Sequence, residues 1–152
     1  MHFAKTSVAA LTAALLAATS ASAAVVTKRD ETWTLDGLHR DCAKDGSHCT
    51  WSFDIDNKAG EKAPCKHIVK SQGGKPASQS HGGPTFCGVY RLESSWDNSN
   101  GPDKAFSVIG VLDQSRKVIG FFGYDDAEVA DGRVVTPDHT SVIKPFNQKS
   151  IL

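Results

Sequence analysis

The sequence predicts an all-β protein, a single compact antiparallel β-barrel or barrel-like sandwich with two disulfides. Short stretches with strand-like alternation recur along the 152-residue chain, turn-forming residues separate them, and no convincing amphipathic helix intervenes. Four cysteines, an even number, follow an N-terminal leader, which favours two disulfides in an oxidising compartment. An immunoglobulin-type sandwich is the competing class, and the absence of its Cys-Trp-Cys spacing disfavours it.

The leader occupies residues 1–23. Lys5 is its only charged side chain, an apolar run extends from Val8 to Ala18, and the small residues Ala21-Ser22-Ala23 close it. This three-part pattern predicts a signal peptide that is cleaved after Ala23. A membrane anchor is the alternative, but threonines interrupt the run, which is well short of the roughly 20 residues that span hydrocarbon. We therefore expect a secreted, extracellular product.

The mature chain, residues 24–152, is predicted to form one secreted β-domain. Residues 24–30 are expected to be disordered or removed, because the dibasic pair Lys28-Arg29 is a candidate processing site. Without Lys5 the chain carries 16 basic and 17 acidic side chains, so its net charge is close to −1 with neutral histidines. Such a chain has no basic field for nucleic acid or anionic lipid, and we expect no nucleic-acid partner and no membrane insertion.

The first strand is predicted around Trp33 and Leu35, which alternate with polar neighbours until Gly37-Leu38 breaks the phase, as a β-bulge would. Residues 51–56 have the most regular alternation, and a slip of one position would bury two aspartates, so their register should be firm. Two apolar segments separated by a short polar turn predict the best-defined hairpin, and two further strands complete the set. These segments are residues 105–112 and 117–124 for the hairpin, and 86–93 and 133–136 for the other strands.

Two long polar segments are predicted to lie outside the sheets. Residues 71–85 are rich in Gly, Ser and Pro, which predicts a long flexible loop. Residues 96–103 contain Asn-Gly and Pro, which predict a turn. Glycines inside the predicted strands, at Gly110, Gly120 and Gly123, are typical of bends in sheets that curl into barrels.

The four cysteines, Cys42, Cys49, Cys65 and Cys87, allow three pairings. From the loss of chain entropy in the unfolded state, a disulfide is expected to stabilise the fold by about 2.5 kcal/mol for Cys42–Cys49, about 3.4 kcal/mol for Cys65–Cys87 and about 4 kcal/mol for Cys42–Cys87. These values do not choose among the pairings. A chain reversal at Asp45-Gly46 brings Cys42 and Cys49 together and favours the sequential pairing, Cys42 with Cys49 and Cys65 with Cys87. Zinc is the alternative, and the lack of closely spaced ligand pairs argues against a metal site.

No constellation of residues predicts catalysis. The stretch from Tyr124 to Asp131 holds four carboxylates, but neither a glycosidase pair nor the alternating oxygens of a calcium loop is present, so we interpret it as an acidic connection between strands. The histidines show no spacing that pairs them as a ribonuclease would, and each is predicted to be a surface or hydrogen-bonded side chain. We therefore predict no catalytic residue, no cofactor and no metal. The histidines in question are His39, His48, His67, His81 and His139.

The three tryptophans are expected to differ in role. Trp33 and Trp51 lie on alternating strands and are predicted to be core residues. Trp96 stands beside a polar loop and is the candidate for a surface contact.

Two motifs resemble a known family. They are W-x-L-x-x-L-x-R-x-C from Trp33 to Cys42 and C-x-W-x-F-x-I-D from Cys49 to Asp56, accompanied by two further cysteines and the turn Tyr124-Asp125-Asp126. This layout is similar to that of the small secreted proteins of filamentous ascomycetes, in particular the hypersensitive-response-inducing elicitors of plant pathogens such as rice blast. It more distantly resembles the β-barrel family of the major Alternaria allergen.

The resemblance implies a secreted effector that induces hypersensitive cell death and defence in plants. It implies no catalysis, so we expect surface recognition by an unknown plant cell-surface or apoplastic target, with the protein acting as a monomer. Two alternatives stay open. One is a small secreted hydrolase acting on RNA or glycans, and the other is a barrel whose interior binds a small apolar ligand.

Overall fold

The computed structural model describes residues 30–147, so the predicted signal peptide and the Lys28-Arg29 pair lie outside the described residues. Within this range the chain forms nine strands and three short 3₁₀ turns. No helix in this part of the chain is long and apolar enough to cross a membrane. The strands are β1 Thr32–Cys42, β2 His48–Asp56, β3 Ala63–Lys70, β4 Gly82–Cys87, β5 Tyr90–Asp97, β6 Phe106–Asp113, β7 Val118–Asp125, β8 His139–Val142 and β9 Lys144–Pro145.

The strands form two antiparallel sheets. The four-stranded sheet has the order β3-β2-β1-β8, and the five-stranded sheet has the order β4-β5-β6-β7-β9. The predicted all-β class is confirmed, as a barrel-like sandwich that does not close. The structure contains two disulfides, Cys42–Cys49 across the β1–β2 hairpin and Cys65–Cys87 between the two sheets.

The core lies between the sheets and takes one face of each strand. Burial alternates along β2, where Trp51, Phe53 and Ile55 point inward and the intervening polar residues point outward. Trp33 and Trp51 are 0% and 3% exposed, which confirms that both are core residues. Burial of this apolar surface is the main stabilising contribution, at roughly 25 cal/mol per Å². The opposing sheet contributes Tyr90, Leu92, Ile109, Val111, Phe122 and Tyr124.

The predicted β-bulge in β1 is confirmed. The pairing of β1 with β2 shifts register between Asp36 and His39, and Gly37 in this interval has a positive φ of 63°. A left-handed backbone costs glycine little, which explains this residue type at the shift. After the bulge, Leu38 and Arg40 occupy inward positions, so an arginine enters the buried side of the strand.

Where β3 of one sheet meets β4 and β5 of the other, a histidine joins the two sheets, as the Cys65–Cys87 disulfide does. We call this region the seam. His67 of β3 is 0% exposed, and its ring nitrogens hydrogen-bond with the hydroxyls of Thr85, at 2.7 Å, and Ser94, at 2.8 Å. Burial lowers the pKa of this ring, because a charged imidazolium loses its hydration there. A Cβ at Gly82 would lie 2.8 Å from the ring, so glycine is required for β4 to approach.

Two strand predictions are wrong. Residues 86–93 form two strands rather than one, because Gly88, with a positive φ of 60°, turns the chain so that Cys87 pairs with Tyr90. Residues 133–136 form no strand. The last partner of β1 is instead β8, where Thr34 pairs with Thr140 and their hydroxyls hydrogen-bond at 2.9 Å.

The predicted loop at 71–85 is shorter in the structure, where residues 71–81 connect β3 to β4. Its end, from Gly82, belongs to β4, and its middle forms the 3₁₀ turn Ala77–Gln79. Ala77 is 2% exposed, and its N–H donates to the carbonyl of Gly46 in the β1–β2 turn at 2.9 Å. Packing against another turn therefore orders a segment whose composition is typical of a loop.

Candidate functional site

Four connections converge at one end of the sandwich, which we call the loop end. Because neighbouring strands are antiparallel, the segments that follow β1, β3, β5 and β7 emerge on the same side. Backbone hydrogen bonds join them, with Ala77 donating to Gly46 and Asp126 donating to Ala105, each at 2.9 Å. Binding residues are disproportionately found on loops that a rigid scaffold positions. The loop end comprises residues 43–47, 71–81, 98–105 and 126–138.

Asp126, in the 126–138 segment of the loop end, connects this segment to β1 and to β5. One carboxylate oxygen accepts from Arg40 Nη1 at 3.1 Å, and the other accepts from the indole N–H of Trp96 at 2.9 Å. Arg40 is 8% exposed, whereas the Asp126 side chain is 32% exposed, so the ion pair lies at the edge of the buried interior. The carboxylate supplies the negative charge that a buried guanidinium requires.

A chain of ring contacts extends from Arg40 across the loop end. The guanidinium lies over the Trp51 ring, 5.2 Å from its centroid, and Trp51 contacts Tyr124 at 6.1 Å between centroids. Tyr124 stacks on His139 at 4.5 Å with an interplanar angle of 11°. These contacts connect both sheets and hold the aromatic rings in one arrangement.

His139 ties the 126–138 segment to β7. One ring nitrogen hydrogen-bonds with the carbonyl of Gly123 at 2.8 Å, and the other contacts a Glu128 carboxylate oxygen at 3.0 Å. The neighbouring Tyr124 hydroxyl is buried and has no hydrogen-bond partner among the described residues. Burial raises the pKa of this phenol, and the charges of Asp138 and Glu128 act in the same direction.

Buried anchors hold the 126–138 segment, while its tip remains exposed. Val129 and Val135 are 1% and 4% exposed, and the Val135 N–H donates to the Leu38 carbonyl at 2.8 Å. Gly132 has a positive φ of 68°, and a Cβ there would lie 2.3 Å from Asp41 Oδ1. Val134, 52% exposed, stands beside a surface depression of about 390 Å³. The depression is lined by Ala127, Glu128, Arg133, Val134, Val135 and Thr136.

The structure places the sequence-predicted surface contact, Trp96, near the end of β5, beside the loop end. Its ring is half-buried, its N–H is used by Asp126, and Lys75 Nζ lies 5.9 Å from the ring centroid. Whether Trp96 contacts a partner stays a prediction.

The histidines are not brought together. His39 lies near Gly37 and Asp41 on the outer side of β1, and His67 lies inside the seam. A second depression of about 520 Å³ adjoins His39, where Asp36 and Asp54 are directly opposite one another. Lys62 forms an ion pair with Asp36 there. Among residues 30–147, no group of three His, Cys, Asp or Glu side chains is arranged to hold a metal ion.

The sequence does not predict the ion pair between Arg40 of β1 and Asp126 of the loop end. A signal for Arg40 was present, because the bulge at Gly37-Leu38 shifts the alternation and places Arg40 on the same side as Leu38. Burial of a charged guanidinium is costly unless a negatively charged group such as a carboxylate pairs with it. Nothing in the local pattern identifies which of the acidic residues after Tyr124 supplies it.

Comparison with known proteins places this structure in a family. Residues 34–150 match the family model described as Effector TSP1. A relative named Effector TSP1, from the fungus Hypocrea virens, is 37% identical over 108 residues, which cover 71% of this chain and 72% of that protein. The chain therefore belongs to the Effector TSP1 family of fungal effectors.

Proposed function

We propose that this protein is a secreted, non-catalytic effector that plant cells perceive through its loop end and that induces hypersensitive cell death and defence. Membership of a fungal effector family supports this proposal. The leader of residues 1–23 and the two disulfides are consistent with export. The elicitor-like motifs at 33–42 and 49–56, which resemble those of rice-blast elicitors, supply the finer expectation of cell death.

The observation that carries the proposal is the convergence of four connections on one rigid end. Asp126 accepts hydrogen bonds from both Arg40 and Trp96, and His139 hydrogen-bonds with Glu128, so these polar groups position the surface. The same contacts are suited to a binding surface that keeps its shape before it meets a partner.

The test is infiltration of the purified mature protein, residues 24–152, into leaves. Val134→Asp changes an exposed side chain at the loop end, and Val89→Asp changes a side chain of nearly equal exposure, 55% against 52%, in the turn between β4 and β5 at the opposite end. We expect Val134→Asp to raise the dose needed for cell death at least tenfold and Val89→Asp to leave the dose unchanged. If both variants need the same dose, the loop end is not the surface that plant cells perceive.

A second arm separates recognition from hydrolysis. His39→Ala removes the histidine that lines the 520 Å³ depression and touches no loop-end contact. Cell death at an unchanged dose supports recognition, whereas loss of activity in a folded His39→Ala protein supports the hydrolase alternative. Absence of any leaf response to the wild-type protein contradicts the elicitor function itself.

A further inference from the structure

His139 closes the 126–138 segment of the loop end onto itself. The histidine begins β8 directly after this segment, and Glu128 lies near the start of the segment. One ring nitrogen, Nδ1, lies 2.8 Å from the carbonyl oxygen of Gly123 in β7, and the other, Nε2, lies 3.0 Å from Oε1 of Glu128. The two ends of the segment are therefore joined through a single imidazole ring.

Both partners of this ring are hydrogen-bond acceptors. A carbonyl oxygen has no hydrogen to donate, and neither has an ionised carboxylate. A neutral imidazole donates from one nitrogen and presents a lone pair at the other. Because the Nδ1 hydrogen is directed at Gly123, a second proton must lie between Nε2 and the Glu128 carboxylate. The contact therefore holds one proton more than a neutral histidine beside an ionised glutamate, whichever of the two atoms carries it.

Neither group can turn away from the other without losing further contacts. The His139 ring stacks on Tyr124, which is 1% exposed, at 4.5 Å and an interplanar angle of 11°. The backbone of His139 pairs with Leu35 of β1, and Oε2 of Glu128 accepts from the Asp125 N–H at 2.9 Å. Removal of the shared proton would leave two lone pairs directed at each other across 3.0 Å, so the contact would become repulsive.

Among residues 30–147, no neighbouring group supplies the missing hydrogen. Arg40 is bound by Asp126, and carboxylates have no hydrogen to donate. The Tyr124 hydroxyl has no hydrogen-bond partner in this range, and burial raises the pKa of the phenol, so it keeps its own proton. The titratable and charged groups around His139 are Tyr124 and Asp125 of β7, Asp126, Glu128 and Asp138 of the 126–138 segment, and Arg40 of β1.

The contact holds one wall of the 390 Å³ depression at the loop end. Ala127 and Glu128 form this wall, and residues 133–136 form the opposite one. The opposite wall is fixed to β1 independently, because the Val135 N–H donates to the Leu38 carbonyl at 2.8 Å. Release of Glu128 would therefore move only one wall and would change the shape of this part of the loop end.

We propose that proton binding between His139 and Glu128 closes the Glu128 wall of the loop end at mildly acidic pH, and that proton loss releases the wall at mildly alkaline pH. The closed form binds one proton more than the open form, so closure is favoured as the pH falls and is lost as the pH rises. Histidine is the side chain whose charge ordinarily changes in this range. The inference rests on the proposed function and adds a regulation of the surface that plant cells would perceive.

The opposite response of the seam separates this local opening from global unfolding. Burial lowers the pKa of His67, so the whole fold loses stability as the pH falls. Closure of the Glu128 wall is instead strengthened as the pH falls. A loss of protection that is confined to the Glu128 wall and occurs at high pH cannot come from the seam.

Hydrogen exchange of backbone amides in the mature protein, followed by NMR at about pH 5.5 and about pH 8, tests the proposal. The reporters are the Asp125 N–H, which donates to Glu128 Oε2, and the Glu128 N–H, which donates to the Asp125 carbonyl, each at 2.9 Å. Protection is the exchange rate of an unstructured peptide at the same pH divided by the observed rate. We expect it to fall at least roughly tenfold from the lower to the higher pH. Amides of the central strand β6 are the reference for global unfolding.

Glu128→Gln provides the sharpest variant. Its amide nitrogen can donate to a neutral Nε2 while its amide oxygen still accepts from the Asp125 N–H, so the contact no longer needs the extra proton. We expect high protection at both pH values, with a difference below roughly threefold. Glu61→Gln is the matched control, since Glu61 is an exposed glutamate in the turn between β2 and β3 at the opposite end, and it should keep the pH dependence of the parent.

His139→Phe keeps a ring on Tyr124 but has no ring nitrogen, so protection should be low at both pH values. Three results overturn the proposal: equal protection of the parent at the two pH values, a pH dependence in Glu128→Gln or His139→Phe that matches the parent, or low protection of Glu128→Gln at about pH 5.5. The exchange measurement needs no plant material, so its failure is distinct from failure of the leaf assay on Val134→Asp.

Discussion

Replacing Asp126 by alanine tests the role of the Arg40–Asp126 pair in holding the loop end. The change removes the acceptor shared by Arg40 and Trp96 and leaves a guanidinium that is 8% exposed without a counter-charge. Removal of one partner from a fully buried ion pair costs about 3–5 kcal/mol. Because the Asp126 side chain is 32% exposed, water reaches the pair, and we take about 2–3 kcal/mol for the arginine. The lost indole hydrogen bond adds about 1 kcal/mol.

The expected loss in the free energy of unfolding is therefore about 3–4 kcal/mol. With an m-value of about 1.5 kcal/mol/M, the urea midpoint falls by about 2–2.7 M, which tryptophan fluorescence measures directly. Asp103→Ala, in the exposed 98–105 connection, is the control and should stay within about 0.5 kcal/mol of the parent.

A double variant identifies the cause of the instability. Arg40→Met combined with Asp126→Ala removes the buried charge together with its partner, so it should be at least about 1 kcal/mol more stable than Asp126→Ala alone. A loss below about 0.5 kcal/mol in Asp126→Ala, or a double variant less stable than the single one, would refute the reasoning.

The remaining predictions concern the seam between the sheets. Burial lowers the pKa of His67 in the folded state, so its neutral form contributes stability above its unfolded value of about 6.5, and this contribution is lost as the pH falls below that value. His67→Gln should therefore show a smaller decrease in urea midpoint between pH 7.5 and pH 5 than the parent, and equal slopes would contradict this assignment. Replacing Cys65 and Cys87 by alanine should destabilise by about 3.4 kcal/mol, against about 2.5 kcal/mol for Cys42 and Cys49, because the longer loop constrains the unfolded chain more. Thermal unfolding of the two double variants measures this order, and a reversed order would count against the entropic explanation.

The alternation of apolar and polar residues was sufficient to predict strands that have one solvent-exposed face and one buried face. Residues 51–56 alternate so regularly that both the strand and its inward face follow from the sequence, and β2 has that orientation. The bulge at Gly37-Leu38 was likewise predictable, since a break in a period of two reveals an inserted residue. The β6–β7 hairpin follows from two apolar runs and a polar turn.

Pattern was insufficient where the structure depends on a partner distant in sequence. Residues 86–93 look like one strand, and only the pairing of Cys87 with Tyr90 reveals the turn. β8 is only four residues long, and it forms by pairing with the side of β1 that β2 does not occupy. The apolar run at 105–112 predicts a buried strand, but it does not indicate that one of its two faces points outward.

The sequence alone therefore determined the class, the main strands, the core tryptophans and the expectation of export, because each depends on neighbours within a few residues. Tertiary structure decided the loop end. Arg40 and Asp126 are 86 residues apart, and their contact exists only because antiparallel pairing returns the chain repeatedly to the same end of the sandwich. A surface assembled from several strands or loops has no periodic pattern in the sequence, so it cannot be predicted from any single stretch.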